Sequence, residues 1–418
     1  MSIATTVRTS AGTTTRRRAG VRTAWAATAA LALAGGLAAA PAAPAEALGP
    51  DTLPITVAND SGRGEEVHLY VVGVDLASDR LGWVDAAGAF HAWPAGGNPP
   101  TPAPDASQPG PSDGQEVTVQ VPRGFSGRVY LSFAERLPFA LTEDGLVQPA
   151  PWAPDDPTAD VLFDWSELTY DDSGLWINSS QVDMFAVPHT VAVTGASGET
   201  RTAGEVVPGG RQAVVETLAA DPAWSGSVVT RDDGTVLRVL APGKAAHAGL
   251  LDEDHLDEYV AEAWGAYATT PLTVVPFAHE PEVRYTGRSV GSSLVFTDTA
   301  GQQVATFERP TSSDVWGCDG ALDAPNDLVV GPIARTLCAA LNRGTLGASD
   351  VEPVVDAERF YAGDVTNEYA RAVHDVMVDG RAYAFAFDDV GGFESLVHDG
   401  DPRSARIEVT PFDAAPTS

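Results

Sequence analysis

Residues 162–189 read Leu-Phe-Asp-Trp-Ser-Glu-Leu-Thr-Tyr-Asp-Asp-Ser-Gly-Leu-Trp-Ile-Asn-Ser-Ser-Gln-Val-Asp-Met-Phe-Ala-Val-Pro-His. Two strand-like runs flank a polar loop that holds Trp176. Each run carries one carboxylate among apolar neighbours, Glu167 in the first and Asp183 in the second. Side chains alternate across a strand, so Phe163, Trp165, Glu167 and Thr169 share one face and Leu162, Ser166, Leu168 and Tyr170 the other. Read the same way, the second run groups Gln181, Asp183 and Phe185 opposite Val182, Met184 and Ala186. Each carboxylate therefore has aromatic company on its own face.

The period of two continues outward. Residues 67–71 (Val-His-Leu-Tyr-Val), 117–121 (Val-Thr-Val-Gln-Val) and 129–133 (Val-Tyr-Leu-Ser-Phe) alternate as half-buried antiparallel strands do. Gly and Pro clusters punctuate them, most visibly the Pro-rich loop from Pro94 to Pro111. No helical period runs through 48–200, so this span reads as a β-sandwich or barrel. After about residue 200 the spacing changes. Leu256, Tyr259, Val260, Ala263, Trp264 and Tyr267 follow a helical period within 251–268. Pro332 opens a second helix with Ile333, Ala334, Leu337, Ala340 and Leu341 on one stripe, stopping before Gly344. Asn367 to Val378 gives a third. Strand-like pieces at 227–230 and 294–296 lie among them. The tail returns to β at 382–387 and 405–410. The expected organisation is a mainly β fold. Its β domain is drawn from 48–200 and 380–418, with a mixed α/β domain inserted at 201–379.

Residues 1–47 read as a secretory signal peptide. Arg8, Arg16, Arg17, Arg18 and Arg22 make a basic start, 24–40 are Ala- and Leu-rich, and Ala45-Glu46-Ala47 offers a small-residue cleavage site. The expected location is extracellular. Removing the five arginines and Glu46 from totals of 25 basic and 57 acidic residues leaves 20 against 56, a formal net charge of −36. Such a surface repels phosphate backbones and anionic lipid, so neither nucleic acid nor a membrane surface is an expected partner. A neutral polysaccharide suits it, bound by a monomer. The two cysteines, Cys318 and Cys338, make an even count in an exported chain and are expected to form a disulfide. They have no nearby His pair, so no metal site is expected there.

Two carboxylates with an aromatic platform beside them suit general acid and base work on a glycosidic bond. Register sets a condition. With a tight turn at Asp171–Gly174, Glu167 would face Asn178 and leave Asp183 five residues further on, about 17 Å at strand rise. Inverting glycosidases hold the pair about 6.5–9.5 Å apart and retaining ones about 5–5.5 Å. The functional reading therefore expects a wide loop, roughly Asp171 to Asn178, with Trp176 projecting from it.

The residues Phe-Asp-Trp-Ser-Glu-Leu-Thr-Tyr (163–170) and Asn-Ser-Ser-Gln-Val-Asp-Met-Phe-Ala-Val-Pro (178–188) resemble glycoside hydrolase family 64, the secreted β-1,3-glucanases, and the related thaumatin-like proteins. Supporting matches are Gly127-Arg-Val-Tyr-Leu-Ser-Phe, Trp316-Gly-Cys-Asp-Gly, Ala339-Ala-Leu-Asn-Arg-Gly-Thr and Tyr383-Ala-Phe-Ala-Phe-Asp-Asp. The resemblance implies a thaumatin-like β-sandwich or barrel beside an α/β domain, with a wide acidic cleft between them. It implies inverting hydrolysis of linear β-1,3-glucan to short oligosaccharides such as laminaripentaose, without metal or cofactor. By match to the motif, Glu167 is the general acid and Asp183 the general base. Thr169, Trp176, Ser180, Asp388 and Asp389 match sugar-contacting positions. Ser180 stands where the family is expected to carry threonine, and Asp171 where it carries asparagine. A glucan-binding thaumatin-like protein without turnover is the alternative.

Other patterns are weaker. Gly287-Arg-Ser-Val-Gly matches the Gly-x-Ser-x-Gly of a nucleophile elbow, but that elbow needs a helix after its serine, and Ser-Leu-Val-Phe reads as a strand. His189, His279, His374 and His398 lack metal-ligand spacing. The acidic run 252–258 reads as a solvated helix face rather than a calcium loop.

Overall fold

The computed structural model describes residues 49–143, 145–153 and 155–412. The signal-peptide reading of 1–47 lies outside them. Twelve strands build the β-sandwich: β1 (Thr52–Asn59), β2 (Val67–Asp75), β3 (Arg80–Val84), β4 (Phe90–Ala92), β5 (Gln115–Pro122), β6 (Phe125–Phe133), β7 (Leu162–Asp171), β8 (Gly174–Ser179), β9 (His189–Gly195), β10 (Thr200–Ala203), β11 (Leu396–Asp399) and β12 (Pro402–Val409). One sheet runs β10-β9-β12-β1-β5. The other runs β11-β8-β7-β6-β2-β3-β4, with the short strand Gln108–Pro109 added at β2. Only β1 and β12 pair in parallel within these two sheets. Thr52–Asn59 and Pro402–Val409, about 350 residues apart in the chain, thus lie side by side in one sheet.

Alternation explains the sandwich. Leu53, Ile55 and Val57 of β1, Val129 and Leu131 of β6, Val191 of β9 and Ile407 of β12 are fully buried. Side chains of this kind each contribute roughly 1.5–3 kcal/mol when taken from water. Gly73 and Gly127 face each other across β2 and β6. A Cβ on Gly127 would lie 2.3 Å from the Val72 carbonyl and 3.0 Å from the Phe125 ring, so both strands depend on that bare backbone.

Residues 210–375 add six helices among the described residues: α1 (Gly210–Ala220), α2 (Pro242–His247), α3 (Asp257–Ala266), α4 (Ser312–Gly317), α5 (Val330–Asn342) and α6 (Glu368–Asp375). Three correspond to the helices read from spacing. In α6 the Asn367 side chain caps the start by accepting from the Ala370 N–H. Residues 285–290 and 293–297 form a hairpin, so Ser289 lies on a strand and there is no elbow. Its hydroxyl donates to the Trp264 carbonyl. The expected strand at 382–387 is not formed. Tyr383 makes a single bridge to Ser180, and the segment then enters turns. Its alternation of Ala with Tyr and Phe reflects burial, since Ala382, Ala384 and Phe385 are all buried without a ladder partner.

Cys318 and Cys338 form the disulfide, with Cα atoms 5.6 Å apart, tying the end of α4 to α5. Its loop spans 20 residues of separation. Removing it as the double variant Cys318→Ala/Cys338→Ala should cost roughly 3 kcal/mol in the chain-entropy account. Urea unfolding measures this. A midpoint unchanged from wild type would show that the clamp is idle.

Candidate active site

The tight turn wins over the wide loop. Asp171 accepts from the Ser173 amide (2.8 Å) and hydroxyl (2.6 Å), and Gly174 takes φ +107°. An Asx turn followed by a glycine at positive φ closes a two-residue hairpin. Glu167 therefore pairs with Asn178, and Thr169 with Trp176. Trp176 lies on β8, not on a loop. Its ring stacks on cross-strand His398 (centroids 3.7 Å, 23°), and its Nε1 donates to the Ser173 hydroxyl at 3.1 Å.

The second run is not one strand, and this corrects its expected faces. The chain leaves the sheet after Ser179. Ser180 bridges Tyr383, the Gln181 amide donates to the Tyr383 carbonyl (2.9 Å), and Tyr369 donates to the Gln181 carbonyl (2.6 Å). The Asp183 carbonyl then accepts from the Ala241 amide at 3.0 Å. Met184–Phe185 next pairs with the strand Val236–Leu240. Strand rise along β8 says nothing about where Asp183 ends up, because the chain has left the sheet by then.

Arg128 on β6 lies directly opposite Glu167. Its Nε and Nη2 contact Glu167 Oε1 at 3.1 and 2.9 Å, and the same Nη2 is 3.9 Å from Asp183 Oδ2. One nitrogen near both carboxylates bounds their nearest oxygens to within about 7 Å of each other. Lys244 Nζ contacts Asp183 Oδ1 at 3.0 Å. The site is an alternating chain: Glu167, Arg128, Asp183, Lys244. Glu167 is buried, and the Asp183 side chain keeps 17% of its surface exposed. Burial pulls the Arg128 guanidinium down, but Tyr130, Glu167 and Asp183 outweigh it and hold it above its ordinary value. Arg128 also lies over the Trp165 ring at 4.4 Å, and Lys244 over the Trp152 ring at 4.4 Å.

Thr169 is half-buried with its hydroxyl 2.8 Å from that of Ser126. Ser180 is buried and its backbone bridges Tyr383. Asp388 is held away from the sugar-contacting set by its own partners. It is fully buried, Arg343 Nη2 donates to Oδ1 at 2.9 Å, and Oδ2 takes His374 Nε2 at 2.9 Å and the Ala384 amide at 3.0 Å. Both oxygens are spent inside the fold. Asp389 beside it is exposed. No group of three or more His, Cys, Asp or Glu side chains suited to a metal occurs among the described residues.

Sequence reading missed Arg128, Lys244, Trp152, Tyr383 and Glu394. Tyr383 is half-buried, and burial, then the Asp389, Glu167 and Glu394 carboxylates, push its hydroxyl well up. Burial pushes Glu394 up to about 7, with Asp389 adding to the effect. An arginine inside the alternating run 127–133 was the visible signal for Arg128, since a charge inside such a run calls for a partner. For Lys244 the signal was count: it is the only lysine in the chain.

The profile of glycoside hydrolase family 64, described as β-1,3-glucanase, matches residues 51–409. The chain is 46% identical over 405 residues to a glucan endo-1,3-β-glucosidase of Arthrobacter sp. (strain YCWD3), covering 96% of this chain and 73% of that protein. A protein of the same description from Cellulosimicrobium cellulans gives the same figures. Among solved structures, a laminaripentaose-producing β-1,3-glucanase in complex with laminaritetraose superposes with a TM-score of 0.84 at 53% identity, covering 87% of this chain and all of that one. A family 64 β-1,3-glucanase domain from Clostridium beijerinckii shares the fold at 24% identity, with a TM-score of 0.72 over 87% of this chain and 99% of that one. With the profile spanning nearly all the described residues, this chain belongs to glycoside hydrolase family 64.

Proposed function

We propose that the protein is a glucan endo-1,3-β-glucosidase that hydrolyses linear β-1,3-glucan by inversion and releases short oligosaccharides outside the cell. The carrying observation is the shared guanidinium, which holds Glu167 and Asp183 within about 7 Å. That bound puts the pair in glycosidase range and admits both the retaining separation, about 5–5.5 Å, and the lower edge of the inverting one, about 6.5–9.5 Å; inversion is taken from the motif resemblance and is decided by the product anomer. The relatives' activity and the laminaritetraose bound by the 53%-identical enzyme support the substrate.

In this reading Glu167 takes up a proton from solvent before the step, its charge pairing with Arg128 giving way to the neutral acid, and donates that proton to the glycosidic oxygen as the bond breaks. Asp183 takes a proton from a water attacking the opposite face of the sugar. The acid spares the leaving oxygen a full negative charge, and the base makes water a better nucleophile. Thr169 and Trp176 lie one step along the sheet from Glu167, where an indole can cover sugar C–H surface. The polymer lies in a groove between the sandwich and the α/β part. That placement is supported by the origin of the charges: Glu167 and Arg128 come from sandwich strands and Lys244 from α2. The disulfide and the acidic surface support an exported, soluble monomer.

The test is product analysis. Curdlan and laminarin should yield short β-1,3-oligosaccharides, while β-1,4-glucan should yield none. Proton NMR of fresh product should show the α anomer first. A β anomer appearing first would replace inversion with retention, and equal release from β-1,4-glucan would remove the substrate assignment.

A further inference from the structure

Lys244 is the only lysine among 418 residues, in a chain whose other cationic side chains are arginines or histidines. It is placed against Asp183, with Nζ 3.0 Å from Oδ1. The backbone fixes it there. The Asp183 carbonyl accepts from Ala241, the residue just before α2, and Pro242 opens that helix at a position where a missing N–H costs nothing. Gly243 abuts the Trp316 side chain of α4, where an added Cβ would lie 3.2 Å away. Above the ammonium lies the Trp152 ring at 4.4 Å.

We propose that Lys244 is the positioning residue of the base, and that it is a lysine because only one carboxylate oxygen must be held. An ammonium is a compact point charge that binds one oxygen, whereas a guanidinium fork tends to take both. Here Oδ1 is engaged by Lys244. Oδ2 sees Arg128 only at 3.9 Å, longer than a hydrogen bond. That leaves Oδ2 for the attacking water. Misplacing a catalytic group by about 1 Å can cost on the order of 100-fold in rate, so anchoring is worth one dedicated residue. The inference rests on Asp183 being the base.

The test compares Lys244→Met, Lys244→Arg and Asp183→Asn on laminarin, with thermal midpoints taken alongside. Lys244→Met should lower kcat by on the order of 10- to 100-fold with KM within about twofold. Lys244→Arg keeps the charge but should also lose kcat, because the fork covers Oδ2. A merely structural cation would be rescued by arginine. Since the chain has a single lysine, and its side chain is 34% exposed, acylation with an N-hydroxysuccinimide ester should inactivate wild type and leave the residual activity of Lys244→Met unchanged. Wild-type kcat in Lys244→Met, or full rescue by arginine, would overturn the proposal. If Asp183→Asn keeps its activity, the base assignment itself has failed. If that variant is dead while Lys244→Met is fully active, only the role of Lys244 is lost.

Discussion

Replacing Glu167 with Gln, or Asp183 with Asn, should lower kcat on laminarin by about 100- to 10,000-fold while binding of curdlan persists. Both changes keep shape and remove only the ability to give or take a proton at that position. At about 1.36 kcal/mol per factor of ten, this range is roughly 3–5 kcal/mol of transition-state stabilisation. A carboxylate serving only as a partner for Arg128 would behave differently. Its amide would weaken a partly buried pair and lower the thermal midpoint, with kcat per folded molecule within tenfold of wild type. Kinetics and melting measured on the same samples separate the two. Loss of curdlan binding together with activity in both variants would make the pair a binding device, and a kcat near wild type in either would remove that residue from the chemistry.

The sandwich was legible because half-buried strands write themselves as alternation. Residues 67–71, 117–121 and 129–133 all lie in strands of the two sheets. The helix α5 was legible from Pro332 and Gly344, the latter at φ +71°. The hairpin turn was written in the sequence as well: Asp171 to cap, Gly174 to turn. Only the requirement that Asp183 lie opposite Glu167 in a ladder favours the wide loop over that turn. Convergence came instead from Ser180 and Gln181 docking on Tyr383, a residue about 200 positions away that no local pattern points to. The partner of Arg128 was hidden for a related reason. That pairing depends on register between β6 and β7, which fixes Arg128 opposite Glu167. Alternation gives a side chain's face but not its neighbour. Asp388 shows the reverse error. A motif match placed it at the sugar, while burial gives it to Arg343 and His374.

That reassignment leads to the largest expected loss of stability. Asp388→Ala should cost about 3–5 kcal/mol, because it leaves a buried guanidinium without its counter-charge. Arg343 is 2% exposed at its side chain, and three aromatic rings, Phe360, Phe385 and Phe393, surround it within 5.5 Å. No water shell can replace the lost carboxylate there. Native domains hold only about 5–15 kcal/mol in total, so roughly a fifth or more of the margin is at stake. The pH dependence has a definite sign. Burial pulls His374 down, but Asp388 outweighs it and raises the imidazole above its ordinary 6.5. A group raised on folding contributes stability that is complete below its unfolded value and is lost as pH climbs through its folded one. Wild type should therefore lose unfolding free energy above about pH 6.5, and Asp388→Ala should lack that component while keeping the Arg343 penalty at every pH. Urea titrations at pH 6 and pH 9 on both proteins measure it. Folded Asp388→Ala should still hydrolyse laminarin with wild-type KM, since its oxygens face inward. A variant with an unchanged midpoint and a raised KM would return Asp388 to the sugar and undo the buried-triad assignment.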